Sequence, residues 1–348
     1  MFGAPPGPLR LVAMLCPSQA WSLYSSQVLL RPSGLVFVVL IADHQGGTNV
    51  KIKKKELCLA EGSKQLLQRV DGHIREISPR SAKEEVNYRL RKYDIGNKVP
   101  DDREGKVLML VGATGSGKST FVNGLVNYAY GVKWEDDFRY KLVVNEENEN
   151  FEAHSQTNWI SAYVLHKQEG ISLPYTLTVI DTPGFGDSEG KKKDEELLKQ
   201  IREFLSHGEY FGLEKLSGIG FVVPAPEGRL TDSQKYIFHC MLSVFGKNFE
   251  DRIFAFATFA DNLRPPVLNA LVDAKVPFKK IFKFNNSVLF TLSRDDDTSD
   301  LDRLAWKMGI QSFTEFFEEL KKTKPVSLQE VLQNMESIRK PHDSQTSG

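Results

Sequence analysis

From residue 106 onward, short apolar runs alternate with amphipathic stretches, a pattern that predicts a sheet with helices packed against it. Residues 106–111 (KVLMLV), 159–166, 175–181 (YTLTVID), 218–223 (GIGFVV), 252–257 and 281–285 have the length and composition of buried strands. Helical patterns cover 120–130, stopped by Gly131, and 231–245, with Thr231 as N-cap. A polar loop at 167–174 joins two of the strands and predicts an antiparallel hairpin. Further on, 312–322 reads as a helix capped by Ser312 and ending before Pro325. Residues 328–338 carry a helical stripe of Leu328, Val331, Leu332, Met335 and Ile338. That stripe would pack on the domain, pair with a partner or begin a longer helix. The tail from residue 340 is expected to be disordered.

The first hundred residues are patterned differently. Residues 1–50 show little periodicity, and their apolar runs at 11–16 and 34–42 are too short to cross a membrane. The first run also lacks the flanks of a signal peptide, and the second reads as a strand or an unordered segment. Lys51, Lys53, Lys54 and Lys55 form a basic cluster, read as a solvated face that could also touch a membrane surface peripherally. Residues 81–93 read as a polar helix, with Ser81 as N-cap and Glu84 as its capping-box partner. Residues 97–104 read as a linker. The expected division is therefore 1–50 unpatterned, 51–104 a basic, partly helical extension, 105–325 one nucleotide-binding domain, and 326–348 a short helix and tail.

Composition narrows the function classes. With 41% apolar residues and 22 Phe, the chain can bury a sizeable core. A formal net charge of zero argues against electrostatic binding to nucleic acid. Cys16, Cys58 and Cys240 have neither disulfide-framework nor metal-ligand spacing, which suits a reducing, cytoplasmic setting.

The chemistry starts where the first strand ends. Gly112-Ala113-Thr114-Gly115-Ser116-Gly117-Lys118-Ser119 matches G-x-x-x-x-G-K-[ST] between a strand and a helix, and Thr120 opens that helix. The glycines let backbone N–H groups converge on phosphate, with the helix N-terminus behind them. Lys118 would sit on the β- and γ-phosphates, and the Ser119 hydroxyl would ligate Mg2+. Asp181 ends another buried strand and opens Asp181-Thr182-Pro183-Gly184-Phe185-Gly186-Asp187. Asp181 would hold magnesium from the second side, and the Gly184 amide would sense the γ-phosphate. Thr157, just before the hairpin, would complete the magnesium shell as a switch residue. Strand 252–257 delivers Thr258-Phe259-Ala260-Asp261. A carboxylate there can accept from guanine N1–H and the exocyclic amine, which adenine cannot offer in that geometry. Ser287, after the last strand, would lie near the base oxygen. The nucleotide expected is GTP/GDP with Mg2+.

The order of these motifs, with Gly228-Arg229-Leu230-Thr231 after the fourth strand and Phe245-Gly246 closing the next helix, resembles the septin-like branch of P-loop GTPases. That branch includes the immunity-associated (avirulence-induced) GTPases, the chloroplast-import receptor GTPases and the septins. The resemblance spans about 105–325 and implies an α/β, three-layer Ras-like P-loop NTPase fold. Its sheet would be mostly parallel and six-stranded, in order 2-3-1-4-5-6 with one antiparallel strand, and here it would carry N- and C-terminal helical extensions. It also implies slow hydrolysis assisted by a partner or by a homodimer across the nucleotide face. Two positions depart from the common pattern. Phe259 stands where many GTPases carry a lysine whose stem packs over the base. Phe185 stands where Ras-type enzymes carry the glutamine that orients the attacking water. Asp187, Thr157, Arg229, His154 and His207 are the candidates to assist instead. Three functions remain open at this level: a GTPase switch, a GTP-bound interaction module without hydrolysis, and an ATP-using P-loop enzyme.

Overall fold

The computed structural model describes residues 26–31, 34–39, 67–71, 73–98, 105–142, 158–186, 191–291 and 299–339. The chain divides into two units, Met1–Glu61 and Gly62–Gly348. In the first, β1 (Ser26–Arg31) and β2 (Gly34–Val39) pair antiparallel, so the second early apolar run is a strand.

The second unit begins with β3 (Leu67–Asp71), β4 (Ile74–Ile77), β5 (Ser81–Glu85) and β6 (Leu90–Ile95). There follow β7 (Lys106–Gly112), α1 (Lys118–Ala129), β8 (Arg139–Lys141), β9 (Ile160–Leu165) and β10 (Leu177–Asp181). Next come α2 (Lys191–Ser206), α3 (Gly208–Phe211), β11 (Lys215–Leu216), β12 (Gly218–Pro224), α4 (Asp232–Phe245) and β13 (Ile253–Thr258). The unit ends with α5 (Val267–Asp273), β14 (Lys280–Lys283), α6 (Ser299–Lys322), β15 (Val326–Ser327) and α7 (Leu328–Arg339).

An eight-stranded sheet runs in the order β14-β13-β12-β7-β10-β9-β6-β5. The six strands expected from the sequence lie at its heart in the expected 2-3-1-4-5-6 order. β9 is antiparallel to β10, and the other neighbours within the six are parallel. β7 is central because it can be buried on both faces: Met109 and Val111 point to one helix layer, Leu108 and Leu110 to the other, and all four are fully buried.

The two outer strands correct the expectation of a helix over 81–93. β5 and β6 pair antiparallel, and β6 adds in parallel to β9. Leu90 and Ile95 are fully buried while Arg91, Lys92, Tyr93 and Asp94 are half-buried. The capping-box spacing at Ser81 and Glu84 is met by a different bond, from the Ser81 hydroxyl to the Asp94 carboxylate at 3.0 Å on the neighbouring strand. Local helix signals gave way to the unsatisfied edge of β9.

One face of the sheet is covered by α1 and α6 through a phenylalanine cluster. Phe121 lies 4.6 Å from Phe256 and 4.9 Å from Phe284, ring to ring, and Phe316 meets Phe256 at 4.9 Å. Such contacts add roughly 1 kcal/mol each to the burial term. The other face carries α2, α4, α5 and α7, packed through Ile201, Phe204, Phe238, Leu271 and Val331. Helix α6 starts at Ser299, well before Ser312, so that serine is internal to the helix and is no cap. Helix α7 packs on α4 and α2, with Leu328 and Val331 of the stripe buried. Thr231 caps α4 as expected, in a reciprocal box with Gln234.

Candidate functional site

The site lies at the carboxyl ends of β7, β10, β12 and β13, where parallel strands expose the ends of their backbones. β7 runs into the glycine-rich loop, and Gly115 and Gly117 take left-handed φ values of 75° and 92° that turn the chain into α1. Thr114 and Gly115 are exposed at the rim, whereas Ser116 and Lys118 are buried.

Lys118 folds over the loop and donates to the carbonyls of Gly112 at 3.0 Å and Ala113 at 2.9 Å. Burial lowers its ammonium to about 8, and the neighbouring Asp181 charge pulls the other way. Asp181 is itself fully buried, and burial raises its carboxyl above the ordinary value against the opposing effects of Lys118 and Ser119. The Ser119 hydroxyl donates to Asp181 Oδ2 at 2.8 Å, joining the loop to the end of β10. Asp181 Oδ1 and Ser116 Oγ are buried with no hydrogen-bond partner. A desolvated carboxylate oxygen and a hydroxyl left without partners are costly in a finished core. Beside a half-compensated ammonium they fit a site built for phosphate and a divalent cation.

The D-T-P-G turn is sewn to this loop. Thr182 donates to the Leu110 carbonyl at 2.8 Å, the Phe185 amide donates to Gly112 O at 3.2 Å, and the Thr114 amide donates to Phe185 O at 2.9 Å. Gly184 sits so close that a Cβ there would lie 2.4 Å from Thr114 Cα and 2.6 Å from its nitrogen. The Phe185 side chain is fully buried in the core, and the Gly186 amide donates to the buried Asp194 at 2.9 Å. Neither role could be read from the sequence, because Thr182 bonds a strand 72 positions away and Asp194 bonds a turn that only the fold brings to it.

Thr258 ends β13 and is buried. Its hydroxyl donates to Ser116 O at 2.7 Å and lies 3.2 Å from Val223 O, so it braces the phosphate loop from behind rather than facing a ligand. Phe259 has φ 52° and is 52% exposed, which puts its ring on the outer rim. Asp261 is exposed, with one oxygen accepting from the Leu263 amide at 2.8 Å. The Ala260 amide donates to Phe284 O at 3.0 Å, and Lys283 donates to the carbonyls of Asn262 and Leu263. These bonds hold the Asp261 loop against the turn that carries Ser287, whose amide donates to the Asn285 side chain at 3.3 Å. Phosphate-side and base-side candidates therefore share one rim. Thr157, His154 and Asp187 lie outside the described residues. His207 is engaged with the Glu203 carbonyl at the end of α2, its ring tilted against that of Tyr88 at 5.0 Å, while Arg229 is exposed.

Residues 105–215 match the septin family model. Over that stretch, about a third of the chain, the sequence is similar to septins. The match covers the phosphate loop, the D-T-P-G turn and the strands between them. Among solved structures, the chain is similar to Toc33 from Arabidopsis thaliana in complex with Mg2+ and GMPPNP, at 16% identity and a TM-score of 0.42, over 64% of this chain and 88% of that one. It is similar at 17% identity and a TM-score of 0.41, over the same shares, to Toc33 in complex with GDP and Mg2+. A structure described under the importance of dimerization for the GTPase activity of atToc33 and psToc159 is similar at 15% identity and a TM-score of 0.41, over 65% and 87%. No curated protein matches the sequence.

Proposed function

We propose that the protein binds GTP and GDP with magnesium and works as a slow GTPase switch. The observation that carries this reading is the Ser119–Asp181 hydrogen bond beside the unpartnered Asp181 Oδ1. Ser119 and Asp181 would hold the magnesium, with Thr157 joining them, and the bound cation would supply positive charge against the phosphate oxygens. Lys118 would exchange two backbone carbonyls for phosphate oxygens, which offsets the cost of its burial. The Gly184 amide would follow the γ-phosphate, and Gly186, bonded to Asp194, would carry the change into α2. Asp261 would read the guanine edge, with Ser287 beside it and Phe259 lying over the base in place of the usual lysine stem.

Titration of fluorescent GTP, GDP and ATP analogues with magnesium, on the full chain and on Asp261→Asn, tests this. Strong GTP and GDP binding, weak ATP binding and loss of guanine preference in the variant are expected. Equal ATP binding, or an indifferent variant, would remove the base-reading role and leave an ATP-using enzyme.

A second reading is favoured by Phe185. Its burial leaves no side chain at that position to orient water, which suits a module that holds GTP without hydrolysis. Single-turnover hydrolysis across a range of protein concentrations separates the two. A rate that climbs with concentration supports a switch completed by a second copy across the nucleotide face, and no turnover at any concentration supports the module. The charge balance and sparse cysteines suit a cytoplasmic protein, and fractionation of cells tests that placement.

A further inference from the structure

Away from the nucleotide rim, a cleft of about 610 Å³ opens between the segment that follows α1 and the first half of α6. Its volume is in the range of sites that hold small organic ligands. The floor is aromatic and aliphatic. Trp134 is almost fully buried, its ring 6.0 Å from that of Trp306, and Ile310 continues the apolar wall. The floor is also rigid. Arg139, fully buried, lies 4.5 Å over the Trp306 ring and donates to the carbonyls of Trp134 at 3.1 Å and Asp136 at 2.8 Å. Leu304 stands at the mouth, 52% exposed.

The polar groups of the lining are not balanced. Arg303 and Glu135 pair with each other at 3.4 Å across the mouth and cancel. Among the described residues of the lining, Lys133 and Lys307, both exposed, remain against Asp300, and beside them the Asp136 carboxylate is set against the buried Arg139 guanidinium, which leaves an excess of positive charge over an apolar floor. An apolar body that fills the floor and one negative group that reaches the two lysines would satisfy both features.

We propose that this cleft is a binding site for an amphiphilic organic anion, an apolar body carrying a single carboxylate or sulfonate. The site is separate from the phosphate loop, and its occupancy does not depend on which nucleotide the protein prefers.

Dodecanoate and anilinonaphthalene sulfonate serve as probes, titrated into the full chain with tryptophan quenching as the readout and dodecanol as the uncharged control. Saturable binding of both anions is expected, with dodecanol weaker. Lys133→Glu/Lys307→Glu should weaken the anions by about tenfold or more and should gain binding of dodecyltrimethylammonium. Leu304→Glu should weaken every ligand. All three substituted side chains are exposed, so the fold is retained, and an unchanged circular dichroism spectrum and an unchanged nucleotide titration verify this. Absence of saturable quenching, or equal affinity in wild type and the lysine variant, would overturn the proposal. So would binding only to phosphatidylserine vesicles with none of free dodecanoate, which would make the surface a membrane contact.

Discussion

The Thr258 hydroxyl donates to the carbonyl of Ser116 at 2.7 Å, linking the strand that leads to the base-side loop with the loop that faces phosphate. Both residues are buried. The bond joins two halves of the proposed nucleotide site that are 142 positions apart in the chain.

Thr258→Val keeps the shape of the side chain and removes this donor. A buried carbonyl is left unpaired, so the ligand-free protein should lose about 1–3 kcal/mol. Urea unfolding measures this directly. The affinity for a triphosphate should fall as well, because the loop backbone loses its brace. A variant as stable as wild type would show that the loop holds its shape without Thr258.

Lys118 makes stability depend on alkaline pH. Its folded value, about 8, lies below the ordinary 10.5. Between those two values the unfolded chain binds more protons than the folded one, so stability should rise with pH through that window, by roughly 3 kcal/mol in total. Below the window the cost of burying the ammonium is fully present. Chemical denaturation of the nucleotide-free protein at a series of pH values should show the rise, and Lys118→Met should flatten it. A profile already flat in wild type would mean that the ammonium is better solvated than its burial implies.

Gly184→Ala forces a methyl group to within 2.4 Å of the Thr114 backbone. Neither segment can yield cheaply, because the Phe185–Gly112 and Phe185–Thr114 bonds pin both. The turn must separate from the phosphate loop, at about 1–3 kcal/mol. Hydrogen exchange should report loss of protection at the amides of Thr114 and Phe185, while the far edge of the sheet is unaffected. Retained protection at both amides counts against the tight junction described above.

Arg139→Lys tests the floor of the second cleft. The guanidinium donates to the carbonyls of Trp134, Asp136 and Phe138 and lies against two tryptophan rings. An ammonium cannot present that planar fork, so the substitution should cost about 2–4 kcal/mol despite keeping the charge. A red-shifted tryptophan emission in the folded variant would accompany it as Trp134 and Trp306 gain water. A loss below about 0.5 kcal/mol, within the range of ordinary surface changes, would show that the rings pack without the guanidinium.

The central strands and the phosphate loop were legible in the sequence by itself. Phosphate binding needs glycines, a lysine and a hydroxyl in eight consecutive positions, and a strand buried on both faces needs an unbroken apolar run, so each leaves a contiguous mark. The order of the six inner strands came from the family resemblance that those marks support. What only the tertiary structure decided depends on partners distant in the chain. Ser81–Ile95 carries charges and a capping-box spacing, and it became two strands because β9 offered an open edge that a helix could not pair. Arg139 looks like any surface arginine until the α1–β8 segment and α6 close over it. Thr258 directs its hydroxyl inward, to the Ser116 carbonyl 142 positions away. The division follows from range: local chemistry is written in neighbouring residues, whereas the burial and pairing of a single side chain are set by whatever the folded chain brings against it.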